Sequence, residues 1–177
     1  HEILKVGIDF NVMNCNCVIG VQEGEKLYII DEISKQKDTD ALAQELRRRY
    51  PSNKILIYPD ASGSARSTIN ASKTDIAILE SYGFTSMALR SNPPIKDRVA
   101  TVQAMLENSK GWVRMEIHAS CRRLIECLEL QSYDERTGDP DKQNGYDHMN
   151  DALGYLIYRE FNMVYSRAGA RTGIRIY

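Results

Sequence analysis

The sequence has few of the features that mark specialised protein classes. Its 177 residues include one Trp, five Pro and four Cys, and 23 Lys and Arg nearly balance 24 Asp and Glu, for a net charge of −1. No run of eighteen apolar residues occurs, so the sequence predicts no membrane-spanning helix. The isoelectric point near 6.4 argues against a strongly basic nucleic-acid-binding domain, for which values above about 9 are typical.

Motifs of several enzyme classes are missing as well. No Gly-x-Ser-x-Gly elbow surrounds Ser62, which disfavours a serine hydrolase. No phosphate-binding loop of the Gly-x-x-x-x-Gly-Lys-Ser/Thr type occurs. The cysteines form no Cys-x-x-Cys pair and have no His at zinc spacing; they are Cys15, Cys17, Cys121 and Cys127. We interpret them as reduced structural residues, and the sequence alone leaves open a disulfide between the two halves.

The composition is that of one globular domain. Hydrophobic residues make up 42% of the chain and charged residues 27%, which allows a core of ordinary size. We predict that residues 1–177 form a single domain. The chain starts at His1 without an initiator Met, and we expect it to be a fragment of a longer protein.

Hydrophobic patterning predicts strands first and alternating elements afterwards. Segments 3–10, 15–21 and 26–33 are predicted strands, and the short turn at Gly24 makes the second and third an antiparallel hairpin. The remaining predicted elements are a helix from 38, a strand at 54–58, a helix ending at 83, a strand at 84–89, a helix from 93, a ribbon at 112–117, and helices at 121–130 and 147–164. This order predicts an α/β fold with a mixed sheet, three antiparallel strands and then parallel strands, with helices on both faces.

Acidic residues at three places differ from ordinary solvated charges. Asp9 lies inside an otherwise apolar predicted strand, where a lone charge is costly unless it is paired or metal-bound. Asp60 follows a parallel-type strand, at the sheet edge where ligands of α/β proteins bind. Asp147 and Asp151 are four positions apart in the last predicted helix, and one helix face can present both of them together with His148.

Each position also has an ordinary structural explanation. Asp60 is equally typical of a turn, Asp147 of a helix cap, and His148 of a surface or supporting residue. Asp9 is the hardest to explain in this way. If the carboxylates converge, their mutual repulsion favours a hard divalent cation, Mg²⁺ or Mn²⁺, and a pair of such ions suits phosphodiester hydrolysis.

Four motifs occur in order along the chain. They are Val6-Gly7-Ile8-Asp9, Tyr58-Pro59-Asp60-Ala61-Ser62-Gly63, Asn92-Pro93-Pro94-Ile95-Lys96-Asp97-Arg98-Val99 and Asp147-His148-Met149-Asn150-Asp151-Ala152. Together they resemble the C-terminal nuclease domain of the large terminase subunit of tailed bacteriophages, over residues 5–158. The resemblance implies a ribonuclease H-like fold and a metal-dependent endonuclease that cuts concatemeric viral double-stranded DNA with two Mg²⁺ or Mn²⁺ ions. It also implies that the protein acts in the cytoplasm of the infected bacterium and is absent from the mature virion.

Roles and partners follow from the same resemblance. Asp9, Asp60 and Asp151 match the catalytic acidic triad of the family, and we expect Asp9 to bridge both ions while Asp60 and Asp151 each hold one. Asp147 and His148 occupy positions that vary among relatives and are secondary candidates for metal ligands. The implied partners are double-stranded DNA, an upstream ATPase motor domain in the same protein, the small terminase subunit and the portal protein, with no membrane.

Local basic residues offer DNA contacts despite the low net charge. The predicted contacts are Arg66, Lys96, Arg98, Lys110 and Arg114. So few contacts predict weak binding without sequence preference, which suits a domain tethered to a motor. We interpret Arg47-Arg48-Arg49 as a solvated helix face. The 112–117 ribbon is either a regulatory flap or, as we favour, an edge hairpin, and the basic tail at 166–177 is either a contact with DNA or the portal, or a flexible end.

Three other functions are compatible with parts of the pattern. A Holliday-junction resolvase would share the carboxylates but act on branched DNA. Half of a sugar-kinase-like or actin-like protein would use a similar strand and turn to bind ATP, although that fold needs two such domains. A non-catalytic docking module would bind no metal, and Asp9→Asn would leave its function unchanged.

Overall fold

A computed structural model of the chain describes residues 2–11, 13–64 and 74–161. Its centre is a six-stranded sheet in the order β5-β4-β1-β2-β3-β6. The strands are β1 (Leu4–Asp9), β2 (Cys15–Glu23), β3 (Lys26–Gln36), β4 (Ile55–Pro59), β5 (Thr85–Ser86) and β6 (Met115–Ile117). β1, β2 and β3 pair antiparallel, whereas β4 joins β1, β5 joins β4 and β6 joins β3 in parallel. The predicted mixed sheet is confirmed.

Helices cover both faces of this sheet, as predicted. They are α1 (Thr39–Arg49), α2 (Asp75–Ser81), α3 (Ile95–Leu106), α4 (Arg122–Leu130) and α5 (Asp147–Phe161). One core packs α1 and α2 against side chains such as Val6 and Ile8, and the other packs α3, α4 and α5 against side chains such as Val18 and Tyr58. Within the described residues, no helix is both long enough and apolar enough to cross a membrane.

α5 lies directly on β1 because β1 contains a glycine at the contact. A Cβ atom added at Gly7 would lie only 2.1 Å from the carbonyl oxygen of Ala152 in α5. Side chains alternate across a strand, so Asp9 extends from β1 on the same face as Gly7. The close approach at Gly7 therefore brings the acidic beginning of α5 to the end of β1.

Two predicted elements near the sheet edges are different in the structure. The strand predicted at 84–89 is reduced to the two residues of β5, after which Met87 donates one more hydrogen bond to Ile57. The 112–117 ribbon forms neither a flap nor a hairpin, because Met115–Ile117 pairs in parallel with the beginning of β3. Asp9 is level with Asn16 at the opposite end of the sheet, so the flap interpretation is wrong.

The four cysteines are buried and free. Cys15 and Cys17 lie in the core under α1 and α2, whereas Cys121 and Cys127 lie in the core on the other face. The sheet separates the two pairs, which excludes a disulfide between the two halves of the chain. The prediction of reduced structural cysteines is confirmed.

A side chain from another element caps α4. Cys121 at its N-cap position provides no side-chain hydrogen bond. Instead the Glu32 carboxylate, from β3, accepts hydrogen bonds from the backbone N–H groups of Arg123 at 2.9 Å and Leu124 at 2.8 Å. A carboxylate satisfies these otherwise unpaired donors and interacts favourably with the positive end of the helix dipole.

Removal of this cap should destabilise the fold. Glu32→Gln keeps one acceptor oxygen and loses the charge, so we expect the free energy of unfolding to fall by about 1–2 kcal/mol, measured by urea denaturation. The control Glu126→Gln, which breaks an exposed ion pair within α4, should cost less than about 0.5 kcal/mol. Equal losses in both variants would contradict the tertiary cap.

Candidate active site

Two of the predicted carboxylates lie at the ends of neighbouring parallel strands. Ile8 of β1 is in register with Pro59 of β4, and the backbone N–H of Asp60 donates to the carbonyl of Ile8 at 3.1 Å. Asp9 and Asp60 therefore stand side by side in register at the carboxyl ends of β1 and β4. The sequence predicted only that Asp60 follows a parallel strand; the pairing of β1 with β4 places Asp9 beside it.

α5 supplies the other acidic residues to the same edge. Asp147, His148 and Asp151 lie in its first two turns. Asp9 is 4% exposed and Asp147 is 5% exposed, so these charges are taken out of water and must be balanced within the protein.

His148 connects the end of β1 to the beginning of α5. Its Nδ1 is 3.1 Å from Asp9 Oδ2, and its Nε2 is 4.0 Å from Asp147 Oδ1. Asn11 donates from Nδ2 to the same Asp9 oxygen at 2.5 Å. The hydrogen bond with Asp9 raises the pKa of His148, burial opposes the rise, and the charge of Asp147 adds to it. When it is protonated, His148 offsets part of the negative charge of Asp9.

Asp151 is paired with a buried arginine. Arg98 Nη2 donates to Asp151 Oδ1 at 2.6 Å, and the Arg98 side chain is only 5% exposed. Burial raises the pKa of Asp151 to about 6; Arg98 opposes the shift, and the charges of Asp9 and Asp147 contribute to it. The carboxylates are therefore close enough to repel one another.

Asp60 is held from the loop that precedes α3. Its Oδ1 accepts hydrogen bonds from Asn92 Nδ2 at 2.6 Å and from the backbone N–H of Ser62 at 2.7 Å. Asn92 Oδ1 in turn accepts from the backbone N–H of Ala61 at 2.8 Å. These contacts order the turn at the end of β4.

Tyr155 links all three members of the predicted triad electrostatically. Burial raises the pKa of its hydroxyl and Arg98 opposes this, while the charges of Asp60, Asp151 and Asp9 raise it further. The charges of Asp9, Asp60 and Asp151 all act on this one hydroxyl, so the three residues lie in the same region around Tyr155. Their joint role in metal binding stays a prediction.

In each carboxylate of the predicted triad, only one of the two oxygens accepts hydrogen bonds from described residues. Asp60 and Asp151 accept hydrogen bonds at Oδ1, and Asp9 accepts them at Oδ2; within the described part of the chain, the other oxygen of each has no hydrogen-bond partner. Asp147 Oδ1 is buried and has no hydrogen-bond partner among the described residues. Oxygen donors of this kind suit hard divalent cations. The described residues include no group of three or more His, Cys, Asp or Glu that already stands in position to hold a metal ion.

The family profile described as the terminase RNaseH-like domain matches residues 6–160, from β1 to α5. The chain belongs to this terminase family. The resemblance inferred from the four sequence motifs is thereby confirmed. A comparison with curated proteins finds no significant match.

Solved terminase structures share the fold at low sequence identity. The large terminase from a thermophilic bacteriophage has a TM-score of 0.68 at 18% identity, over 89% of this chain and 40% of that one. The P22 large terminase nuclease domain has a TM-score of 0.67 at 16% identity, over 91% and 83% of the two chains. The large terminase nuclease domain from bacteriophage SPP1 with bound Mn has a TM-score of 0.55 at 18% identity, over 89% and 86%. The chain spans less than half the length of the large terminase from the thermophilic bacteriophage.

Of the basic residues predicted to contact DNA, those that the structure describes do not lie on one surface near the carboxylates. Lys96 is exposed in the first turn of α3. The prediction that Arg98 contacts DNA is wrong, because its side chain is buried against Asp151 and presents no charge at the surface. Lys110 and Arg114 precede β6, which pairs with the beginning of β3 at the sheet end opposite Asp9. Arg66 and the 166–177 tail lie outside the described residues.

The arginine run of α1 has structural partners. Arg48 and Arg49 pair with Glu45, and Arg49 also reaches Asp31 on β3. Arg47 donates to the backbone carbonyl of Tyr82 at 2.8 Å. The interpretation as a solvated face is correct for Arg48 and Arg49, which are exposed, although Arg49 also pairs with Asp31. It is wrong for Arg47, which is half-buried and ties α1 to Tyr82.

Sequence reasoning missed the supporting roles of three residues at the terminase site, Asn11, Asn92 and Arg98. Asn11 and Asn92 are amides in loops, where such residues are common turn formers, and neither has a spacing that connects it with a distant carboxylate. Arg98 was identified, but for a surface contact. The polar side chain nearest to each acidic residue is set by chain crossings, so the sequence contained no direct signal for these pairings.

The pH dependence of stability should reflect the contact between His148 and Asp9. Because the pKa of His148 is raised in the folded state above its usual 6.5, the contact stabilises the fold at lower pH and this contribution is lost as the pH rises through the folded value. In chelator, the wild type should lose more unfolding free energy than His148→Gln as the pH is raised through and above 6.5.

The exposed His118 near β6 provides a matched control. His118→Gln should follow the pH dependence of the wild type. If His148→Gln also followed it, the stabilising contact with Asp9 would be refuted. Thermal or urea unfolding at a series of pH values measures all three proteins.

Proposed function

We propose that this domain is the metal-dependent endonuclease of a viral DNA-packaging motor, cutting concatemeric double-stranded DNA. The observation that carries the proposal is the convergence of Asp9, Asp60 and Asp151 from β1, β4 and α5 on one edge of the sheet. Membership of the terminase RNaseH-like family supports the substrate class, and a likeness to nuclease domains of large terminases supports the reaction class.

Divalent cations fit the residues of this site. The donors are carboxylate oxygens without cysteine, which favours Mg²⁺ or Mn²⁺, and the similar SPP1 domain has bound Mn. Asp9, Asp60 and Asp151 would hold the ions, with Asp147 and His148 as secondary candidates for ligands. When bound, such ions stabilise the charge that develops on the attacking and leaving oxygens during phosphodiester hydrolysis.

The chain's own residues would hold the ions and set the electrostatic environment of the site. Asp9 and Asp147 lie in buried positions, where electrostatic interactions are stronger than in bulk water. His148 contacts Asp9 at 3.1 Å and helps to hold that carboxylate in place. Lys96 provides an exposed cation for a phosphate near the beginning of α3.

Function in packaging requires partners in addition to this domain. An ATPase motor domain upstream in the same protein supplies the DNA, and the small terminase subunit and the portal position the assembly in the host cytoplasm. Tethering to the motor raises the effective concentration of DNA at the nuclease. High intrinsic affinity for DNA is then unnecessary.

Each carboxylate of the triad should be required for cutting. Asp9→Asn, Asp60→Asn and Asp151→Asn should each slow Mn²⁺-dependent cleavage of linear duplex DNA by more than about a hundredfold, while circular dichroism remains that of the folded protein. Glu25→Gln, in the exposed turn between β2 and β3, is the control and should cut like the wild type. Cleavage that persists in all three Asn variants, or a preference for four-way over linear DNA, would contradict the proposal.

DNA binding by the isolated domain should be weak. With Arg98 buried and few cations near the site, we expect a dissociation constant of about 1 μM or weaker at physiological salt, and a shallow salt dependence. Fluorescence anisotropy without divalent metal measures both. Lys96→Gln should lower the salt slope by about one, whereas Lys26→Gln, at the opposite end of the sheet, should not. Nanomolar affinity of the isolated domain would refute this model of tethered cutting.

A further inference from the structure

One short segment of the chain contacts two members of the acidic triad, Asp60 and Asp151. This segment, residues 92–98, runs from the loop before α3 into its first turn. Asn92 at its beginning contacts Asp60, and Arg98 at its end contacts Asp151. Asp60 and Asp151 come from different elements, so a single segment relates the positions of two distant carboxylates.

Asn92 makes two hydrogen bonds that orient Asp60. Its Nδ2 donates to Asp60 Oδ1, and its Oδ1 accepts from the backbone of Ala61. With both ends of the amide used, the side chain is fixed relative to the turn after β4. Asp60 Oδ2 is left without a hydrogen-bond partner among the described residues and can serve as a ligand.

Arg98 is built into the interface between α3 and α5. Its guanidinium lies 4.5 Å from the centre of the Tyr155 ring. A Cβ atom at Gly154 would be 2.6 Å from Cγ and Cδ of Arg98, so the absence of a side chain at position 154 makes the space that Arg98 occupies. The guanidinium is thereby held in one place, and it binds only one oxygen of Asp151.

Fixed partners of this kind reduce the cost of bringing carboxylates together. Like charges at Asp9, Asp147 and Asp151 repel one another, and an unsupported carboxylate would rotate away from the others. Hydrogen bonds to one oxygen fix the direction of the second. Arg98 also supplies a positive charge that partly offsets the repulsion.

We propose that Asn92 and Arg98 are positioning residues that orient Asp60 and Asp151 toward the divalent cations, acting through the carboxylates without contacting the DNA. Gly154, which has no side chain, leaves the space that Arg98 occupies beside α5. The inference rests on the proposed function, because it assumes that Asp60 and Asp151 bind metal. It extends that function to a segment whose sequence had suggested phosphate contacts.

Mn²⁺ binding to the folded, DNA-free domain tests the proposal directly. Titration calorimetry should show Mn²⁺ affinity lowered by about tenfold or more in Arg98→Met and in Asn92→Ala, the range typical for loss of residues that support metal ligands. Gly154→Ala keeps the guanidinium but displaces it, and should weaken Mn²⁺ binding similarly. Arg98→Lys, which keeps the charge without the planar fork, should fall between Arg98→Met and the wild type.

Cleavage as a function of Mn²⁺ concentration separates positioning from direct ligation. Saturating Mn²⁺ should restore most of the cutting rate of Asn92→Ala and Arg98→Lys, but not that of Asp151→Asn. Arg48→Met removes an exposed cation of α1 and is the matched control, with Mn²⁺ affinity equal to that of the wild type. Urea unfolding checks that each variant is folded.

The outcomes distinguish this inference from the proposed function. If the wild type binds no Mn²⁺, the proposed metal-dependent function itself is wrong. If the wild type binds Mn²⁺ and the folded Asn92 and Arg98 variants bind it equally well or more tightly, the positioning role is wrong while the function stands. Should Arg98→Met fail to fold, Arg98→Lys and Asn92→Ala decide by the same criteria.

Discussion

Mutual repulsion among buried carboxylates is the constraint on which the rest of the site depends. Asp9 and Asp147 are almost fully buried, and their charges act on Asp151. A protein without bound metal must offset this negative charge with its own groups. Arg98 does so at Asp151 and a protonated His148 does so at Asp9, while amides at Asn11 and Asn92 satisfy single oxygens. Asp9, Asp60 and Asp151 each have one oxygen with a partner and one without a described partner, and a divalent cation would complete this arrangement.

Close packing of α5 on β1 connects the fold to this electrostatic arrangement. Gly7 lets the helix backbone approach the strand, and Gly154 lets Arg98 enter between α3 and α5. Both glycines provide space rather than unusual backbone angles. The acidic beginning of α5 reaches Asp9 only because the helix lies so close, and Asp151 is paired only because Arg98 fits beside it. Protein interiors are packed too tightly to absorb an extra methyl group at such contacts without a shift of the neighbouring element.

Prediction from the sequence succeeded where the signal was local or periodic. The antiparallel strands β1 to β3, the beginning of α1 near residue 38, and the placement of Asp9 in one buried strand and of Asp60 after another all follow from residues close in the chain. It failed at the sheet edges, where β5 has two residues and β6 pairs in parallel. Edge strands are short and make few contacts, so their hydrophobic pattern specifies little about partner or direction. It also failed for Arg98, whose charge suggested a surface position.

The sequence by itself determined the fold class and the family, because strand and helix periodicity and short motifs are properties of neighbouring positions. Only the tertiary structure decided which partner each carboxylate receives. Arg98 meets Asp151 across 53 positions and His148 meets Asp9 across 139. Such pairings depend on how helices cross the sheet and on which small residues leave room, and no local pattern encodes a long-range contact that is specified by packing and charge together.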